Sequence, residues 1–232
     1  MKLAFEPFKF NHGLLSTFNT DGFPTSLYSW RNEELELPDG PTYFGFVYEG
    51  TSTLATRAGQ FHLSAGMYFS VPSGARVVGK GSGIAVSRPG YRGFFQIGGP
   101  IEQKGRLKYI DGCTDSLLIP PILLGDPCLN LLYFPPGINQ TQHTHPSNRV
   151  GMVARGYGEC ITPTETIPLF PGQIFIIHAD GLHSFRTTNS DMTVIAYHPD
   201  SDFGATHENH PMINRTMVSG VSASVLQEIR TR

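Results

Sequence analysis

The sequence predicts an all-β protein made of two tandem β-barrel units with one short helix near the C-terminus. Three observations predict it: turn-forming residues are abundant, apolar runs are short, and the two halves of the chain repeat. The 232 residues include 26 glycines and 18 prolines, about 19% of the chain against ~12% in average usage. Such dense punctuation disfavours a helical bundle. Charged residues are 16%, aromatics 11% and the apolar set 39%, so there is material for a core and no case for disorder.

The repeat divides the chain. Gly45-Phe-Val-Tyr-Glu-Gly50 followed by Leu63, Gly66, Phe69 and Val71 reappears as Gly151-Met-Val-Ala-Arg-Gly156 followed by Leu169, Gly172, Phe175 and Ile177, every match at one gap-free offset of 106 residues. Self-similarity at a fixed period implies two copies of one structural unit. The stretch 112–127 lacks alternation and is rich in Pro and Gly, so the boundary is expected there, giving units 1–115 and 116–232.

Within each copy the periodicity is that of strands. Short apolar or alternating runs at 43–48, 67–71, 83–87 and 94–97 in the first copy, and at 131–134, 150–154, 173–177, 183–187 and 192–198 in the second, are bounded by Gly, Pro, Asn or Asp. Val221, Val225 and Ile229 recur every four residues, with Ser219 or Ser222 available as N-cap, which predicts the helix. Unpaired sheet edges are an association liability, so a homodimer is an expected corollary.

Net charge is −2, and no cluster of Lys and Arg occurs, which argues against nucleic acid or an anionic membrane as partner. The opening residues lack an apolar leader core, and the most apolar stretch, 117–124, is broken by Pro120 and Pro121. A soluble, cytoplasmic protein is expected. Cys113, Cys128 and Cys160 form no CxxC pair, which suits reduced, buried thiols.

His143-Thr-His145 places two imidazoles at i and i+2, on one face if the segment is a strand, which is the geometry of neighbouring ligands on one metal. A third partner must come from elsewhere, and His183 opens the next strand after the turn 179–182. Alone, such a pair is a weak signal and reads rather as solvated or hydrogen-bonded histidines. The frame is more specific: Gly137-x5-His143-x-His145-x3-Arg149-x6-Gly156 and then Gly172-x5-His178-x-Asp180-x2-His183. It resembles the two signature motifs of the cupin superfamily, in which Gly-x5-His-x-His-x3–4-Glu-x6-Gly is followed by Gly-x5-Pro-x-Gly-x2-His-x3-Asn. The resemblance covers 130–200, and the repeat carries it to Gly66-x5-Pro72-x-Gly74. It implies cupin-type jelly-roll barrels and makes His143, His145 and His183 the ligands of one divalent transition metal, iron first, with Ni, Mn, Zn or Cu as alternatives.

The departures from the pattern are informative. At the same offset the first copy holds Leu37, Asp39 and Val77, so it should be metal-free. In the second copy Arg149 occupies the motif's Glu position, and a guanidinium cannot ligate. Either it pairs with a surface acid, or beside the metal it selects an anionic or chelating small molecule. Tyr197, Tyr157 and Gln142 are further candidates to complete the pocket, Tyr197 as a proton donor. His178 falls in a turn and is expected beside rather than on the metal, and His207 and His210 lie in an irregular tail segment. The resemblance extends to three-histidine cupins that are dioxygenases, which implies oxidative cleavage; an isomerase or lyase, and a non-catalytic binding or sensing module, are the alternatives.

Overall fold

The computed structural model describes residues 3–19, 22–206 and 210–231. The chain is all-β, and every strand pairing is antiparallel. A seven-stranded sheet runs in the order Phe5–Phe8, Ile174–Ile177, Arg149–Gly156, Met192–His198, Cys128–Phe134, Thr114–Ile119 and Leu107–Lys108. A six-stranded sheet runs Gln96–Gly98, Tyr68–Val71, Thr42–Glu49, Ser82–Arg88, Thr25–Arg31 and Gly13–Phe18. Smaller sheets back them: Leu35–Leu37, Ala75–Gly79, Thr51–Thr56 and Gly59–Ser64 on the first half, and Thr166–Leu169, Gly158–Ile161 and Ser184–Arg186 on the second.

The central strands are apolar at nearly every position because each of their faces meets a core. Leu27, Phe44, Phe46, Ile84 and Val86 of the six-stranded sheet pack against Leu129, Leu131, Val150, Met152, Ile195 and Tyr197 of the seven-stranded sheet. On the outer face of the six-stranded sheet, Trp30, Tyr43, Val47 and Phe69 meet Leu37, Leu54 and Val77 of its partner. On the outer face of the seven-stranded sheet, Phe134, Val153, Phe175 and Val194 meet Cys160, Leu169 and Phe185. Each fully buried large apolar side chain is worth about 1.5–3 kcal/mol, so these three cores hold the layers together. The sheets stay separate rather than closing into the barrels expected from the sequence, and the isolated bridges Asn139↔Arg186 and His143↔His183 tie residues 139–143 to the strand Ser184–Arg186 and the residue before it.

The repeat is a repeat of pairing. The cross-strand row Phe69–Gly45–Ala85–Tyr28 recurs as Phe175–Gly151–Ala196–Asn130. A Cβ on Gly45 would stand 2.1 Å from the Phe69 ring, and one on Gly151 2.3 Å from Phe175. In both halves a bare glycine is therefore what allows the phenylalanine to lie across the strand. Turn glycines match as well, Gly50 with Gly156 and Gly66 with Gly172, all at positive φ.

Three features differ from expectation. Residues 221–229 are not an α-helix: Val221–Ser222 pairs with Met217–Val218, and two 3-10 turns follow at Ala223–Val225 and Gln227–Ile229. Val221, Val225 and Ile229 are all exposed, so no buried face rewards helix formation, and Ser219-Gly220 at positive φ makes a hairpin turn instead. The described α-helix is the five residues Pro211–Arg215, with His210 as its N-cap. The stretch 112–127, read from its prolines and glycines as a linker, contains the strand Thr114–Ile119. Finally, Phe5–Phe8 pairs with Ile174–Ile177 of the second half's sheet, with Phe5 stacked on Phe175 at 5.1 Å, while Gln96–Gly98 takes the equivalent edge in the first half.

Candidate metal centre

His143 and His145 lie in an irregular segment, not on the strand the i, i+2 spacing suggests, and backbone bonds hold that segment in place. His143 N–H donates to the His183 carbonyl at 2.9 Å and His183 N–H to the His143 carbonyl at 3.0 Å. Asp180, at φ 60°, donates its N–H to the His145 carbonyl at 2.7 Å. Asn148 Oδ1 accepts from Ala179 N–H at 2.8 Å. The turn before His183 is thus clipped at several points to the segment carrying the other two histidines.

The three rings face one another with centroids 4.6–5.2 Å apart. Their candidate ligand atoms all lie within 4.8 Å of one another, the metal-competent group found among the described residues. His143 Nδ1 is 2.8 Å from the Thr141 carbonyl and His183 Nδ1 2.9 Å from the Gly181 carbonyl. Each carbonyl needs a donor, so Nδ1 carries the proton and Nε2 is left as a lone-pair donor. Burial, with the Arg149 charge and the neighbouring imidazoles, pushes His145 down to about 3; burial is also the main cause that pushes His183 down to about 4. Three convergent imidazoles, His183 buried and His143 and His145 half-buried, suit a divalent cation, so the donor set fits a metal ion.

Beside the rings lies a cavity of about 70 Å³. Phe175, Ile177, Phe185 and Val194 make its apolar wall, and Arg149, Asn130, His198, Asp115 and Tyr109 bring polar groups to it. Arg149 is 13% exposed and its Nη1 donates to the Ser147 and Asn148 carbonyls at 3.2 Å, to Ser147 Oγ, and to Asp200 Oδ1 at 3.3 Å. Its Nε–H is buried and has no partner. Arg149 is therefore paired with an acid and also lines the cavity of His145 and His183. Burial pushes the Asp115 carboxyl up and holds His198 well below its ordinary range, Arg149 adding to the latter.

Tyr197 is not part of this site. It projects to the opposite face of its strand, into the core between the two large sheets, with its ring 5.3 Å from Phe44. Its strand neighbours Ala196 and His198 face the cavity instead. Tyr157 and Gln142 are exposed. His178 Nε2 is 3.0 Å from Glu6 Oε2, which fastens the exchanged strand to the turn before His183. The three cysteines are free and buried. His207 lies outside the described residues. His198, Asn130, Asp115 and Tyr109 were not singled out from sequence; counting two residues along the strand from Ala196, or from Leu132, would have found the first two.

No protein-family model matches the chain, and no curated protein is detectably similar in sequence. Solved structures do match. A cupin 2 conserved barrel domain protein from Leptotrichia buccalis is 11% identical, with TM-score 0.57, over 83% of this chain and 86% of its own. The protein Ylba from E. coli is 18% identical, with TM-score 0.58, over 84% and 88%. A salicylate 1,2-dioxygenase from Pseudaminobacter salicylatoxidans is 14% identical, with TM-score 0.55, over 76% and 71%. At these identities the likeness is one of fold, and that fold is cupin-like. No helix among the described residues is long and apolar enough to cross a membrane.

Proposed function

We propose that the chain is a two-domain cupin whose second unit, 116–232, is a mononuclear metal site acting on a small anionic or chelating substrate, and that its reaction is of the dioxygenase type. The first unit, 1–115, then serves as scaffold. The observation that carries this reading is the convergence of His143, His145 and His183 beside a cavity that also holds Arg149. A divalent iron bound there would supply Lewis acidity and open positions at which dioxygen and substrate meet.

The chain's own residues account for selection and positioning. Neutral imidazoles leave the charge of a divalent ion uncompensated, so the cavity favours a negative ligand, to which Arg149 offers a donor. The Arg149 head is pinned by Ser147 and Asp200, which orients its free Nε–H without further ordering cost. Phe175, Phe185 and Ile177 limit the water beside the rings.

The test is oxygen uptake by the iron-loaded protein across thiols, β-diketones and hydroxy acids, with substrate loss followed in parallel. Uptake matched to substrate loss, and lower in Arg149→Met, is the expected result. Retention of zinc with no oxygen consumption would contradict it and favour a binding module. Arg149→Glu is the poorer variant, because it stands a second carboxylate against Asp200.

A further inference from the structure

We propose that the cavity beside the histidines takes a small aliphatic 2-hydroxycarboxylate, with its carboxylate on Arg149 and its hydroxyl on the Asn130 amide. This rests on the metal-dependent, anion-binding reading above and names the ligand's chemistry. Asn130 is 6% exposed, lies on the strand Cys128–Phe134 that floors the cavity, and its Oδ1 has no hydrogen-bond partner. A buried amide oxygen left unpaired is costly unless a ligand or water completes it. Arg149 Nε–H is the complementary orphan, a buried donor on a side chain lining the same cavity. One ligand that accepts from Nε–H and donates to Oδ1 satisfies both. A carboxylate accepts at the first point and a hydroxyl donates at the second, while the remaining carboxylate oxygen stays free for the ion.

Electrostatics and size narrow the class. An ammonium could also donate to Asn130, but Arg149 and a divalent ion would surround it with positive charge. A hydroxyl meets no such penalty. The volume is about 70 Å³, roughly half the ~150 Å³ of a cavity known to hold benzene, so an aliphatic acid fits where an aromatic ring does not.

The experiment is calorimetric titration of the full chain, loaded with the metal it retains, using glycolate, acetate, methoxyacetate, glycine and salicylate as probes. Glycolate should bind about tenfold tighter than acetate, methoxyacetate or glycine, and salicylate should not compete with it. Asn130→Leu should bring glycolate to within about threefold of acetate and leave acetate unchanged, whereas Arg149→Met should weaken both about tenfold. An unaltered glycolate preference in Asn130→Leu would overturn the inference, as would equal wild-type affinity for methoxyacetate, glycine or salicylate, a comparison that needs no variant to fold. If Arg149→Met still weakens every acid in that case, the anion-binding reading stands and this inference alone falls. If the loaded wild type binds none of the acids, both fall.

Discussion

The two halves of the molecule share a skeleton and differ in what they place at equivalent points. Phe69 over Gly45 and Phe175 over Gly151 are one device used twice, and the rows they belong to have the same register. Where the second half has Arg149 opposite Ile177, the first has Tyr43 opposite Val71. Where the second has Asn130, the first has Tyr28, whose ring meets Tyr43 edge-on at 6.1 Å. Leu37 and Val77, buried at the positions matching His143 and His183, complete an apolar filling, and Tyr43 satisfies its hydroxyl on the Pro38 carbonyl at 2.8 Å. Asp39, which matches His145, is drawn out of the interior to hold Ser73, Gly74 and Arg57 at the surface. One half thus spends these positions on packing and the other on a polar cavity, while the glycines and phenylalanines that shape the sheet stay the same.

The largest effects should be symmetric between the halves. Phe69→Ala and Phe175→Ala each remove a buried ring packed over a glycine, and each should cost about 3–5 kcal/mol in urea unfolding. A large cost for only one of them would show that the shared device matters in one half alone. The next effect should be confined to the second half: metal at a hundredfold over its dissociation constant should stabilise the chain by about 2.7 kcal/mol. In scanning calorimetry that gain should vanish with chelator and with His145→Leu.

Val77→His sharpens the contrast from the other side. It places an imidazole among Leu35, Leu37 and Leu54 with no designed partner, and it should cost about 1–3 kcal/mol without adding metal. Metal uptake by that variant would mean the first half retains a latent site. The smallest effect is on pH. In the metal-free chain His145 and His183 sit at about 3 and about 4, against an ordinary value of 6.5 on unfolding. From pH 6.5 down to about 4 the unfolded chain therefore holds more protons, and stability falls as pH falls. Urea midpoints across that range should show the slope, and His145→Leu with His183→Leu should reduce it, leaving what His198, lowered in the same sense, and Asp115, raised with the opposite effect, contribute.

How much of this was legible from sequence depended on whether the signal was local. The repeat could be read because turn glycines and the Gly–Phe pairs keep a constant spacing, and the histidines could be read because their spacing sits inside that frame. Tyr197 was misplaced by strand phase: residues 196 and 198 face the cavity, and 197 faces the opposite core. Asn130 is invisible by composition, since one amide in an apolar strand announces nothing until its row is known. Asp115 comes from the stretch 112–127, which reads as a connector, and Tyr109 from the residues just before it. The exchange of Phe5–Phe8 into the second half's sheet joins residues some 170 apart, and no local pattern encodes such a pairing. The helix expected over 221–229 failed because periodicity alone does not supply a surface to pack against.

On the function proposed, one half binds a metal, and the other holds two buried apolar side chains, Leu37 and Val77, and the outward-turned Asp39 at the equivalent positions. Elemental analysis of untagged wild type and His183→Ala, with folding of both checked by circular dichroism, tests it most directly. About one transition-metal ion per wild-type chain and none in the folded variant is the expected result. Full occupancy in His183→Ala, or two ions per wild-type chain, would contradict it.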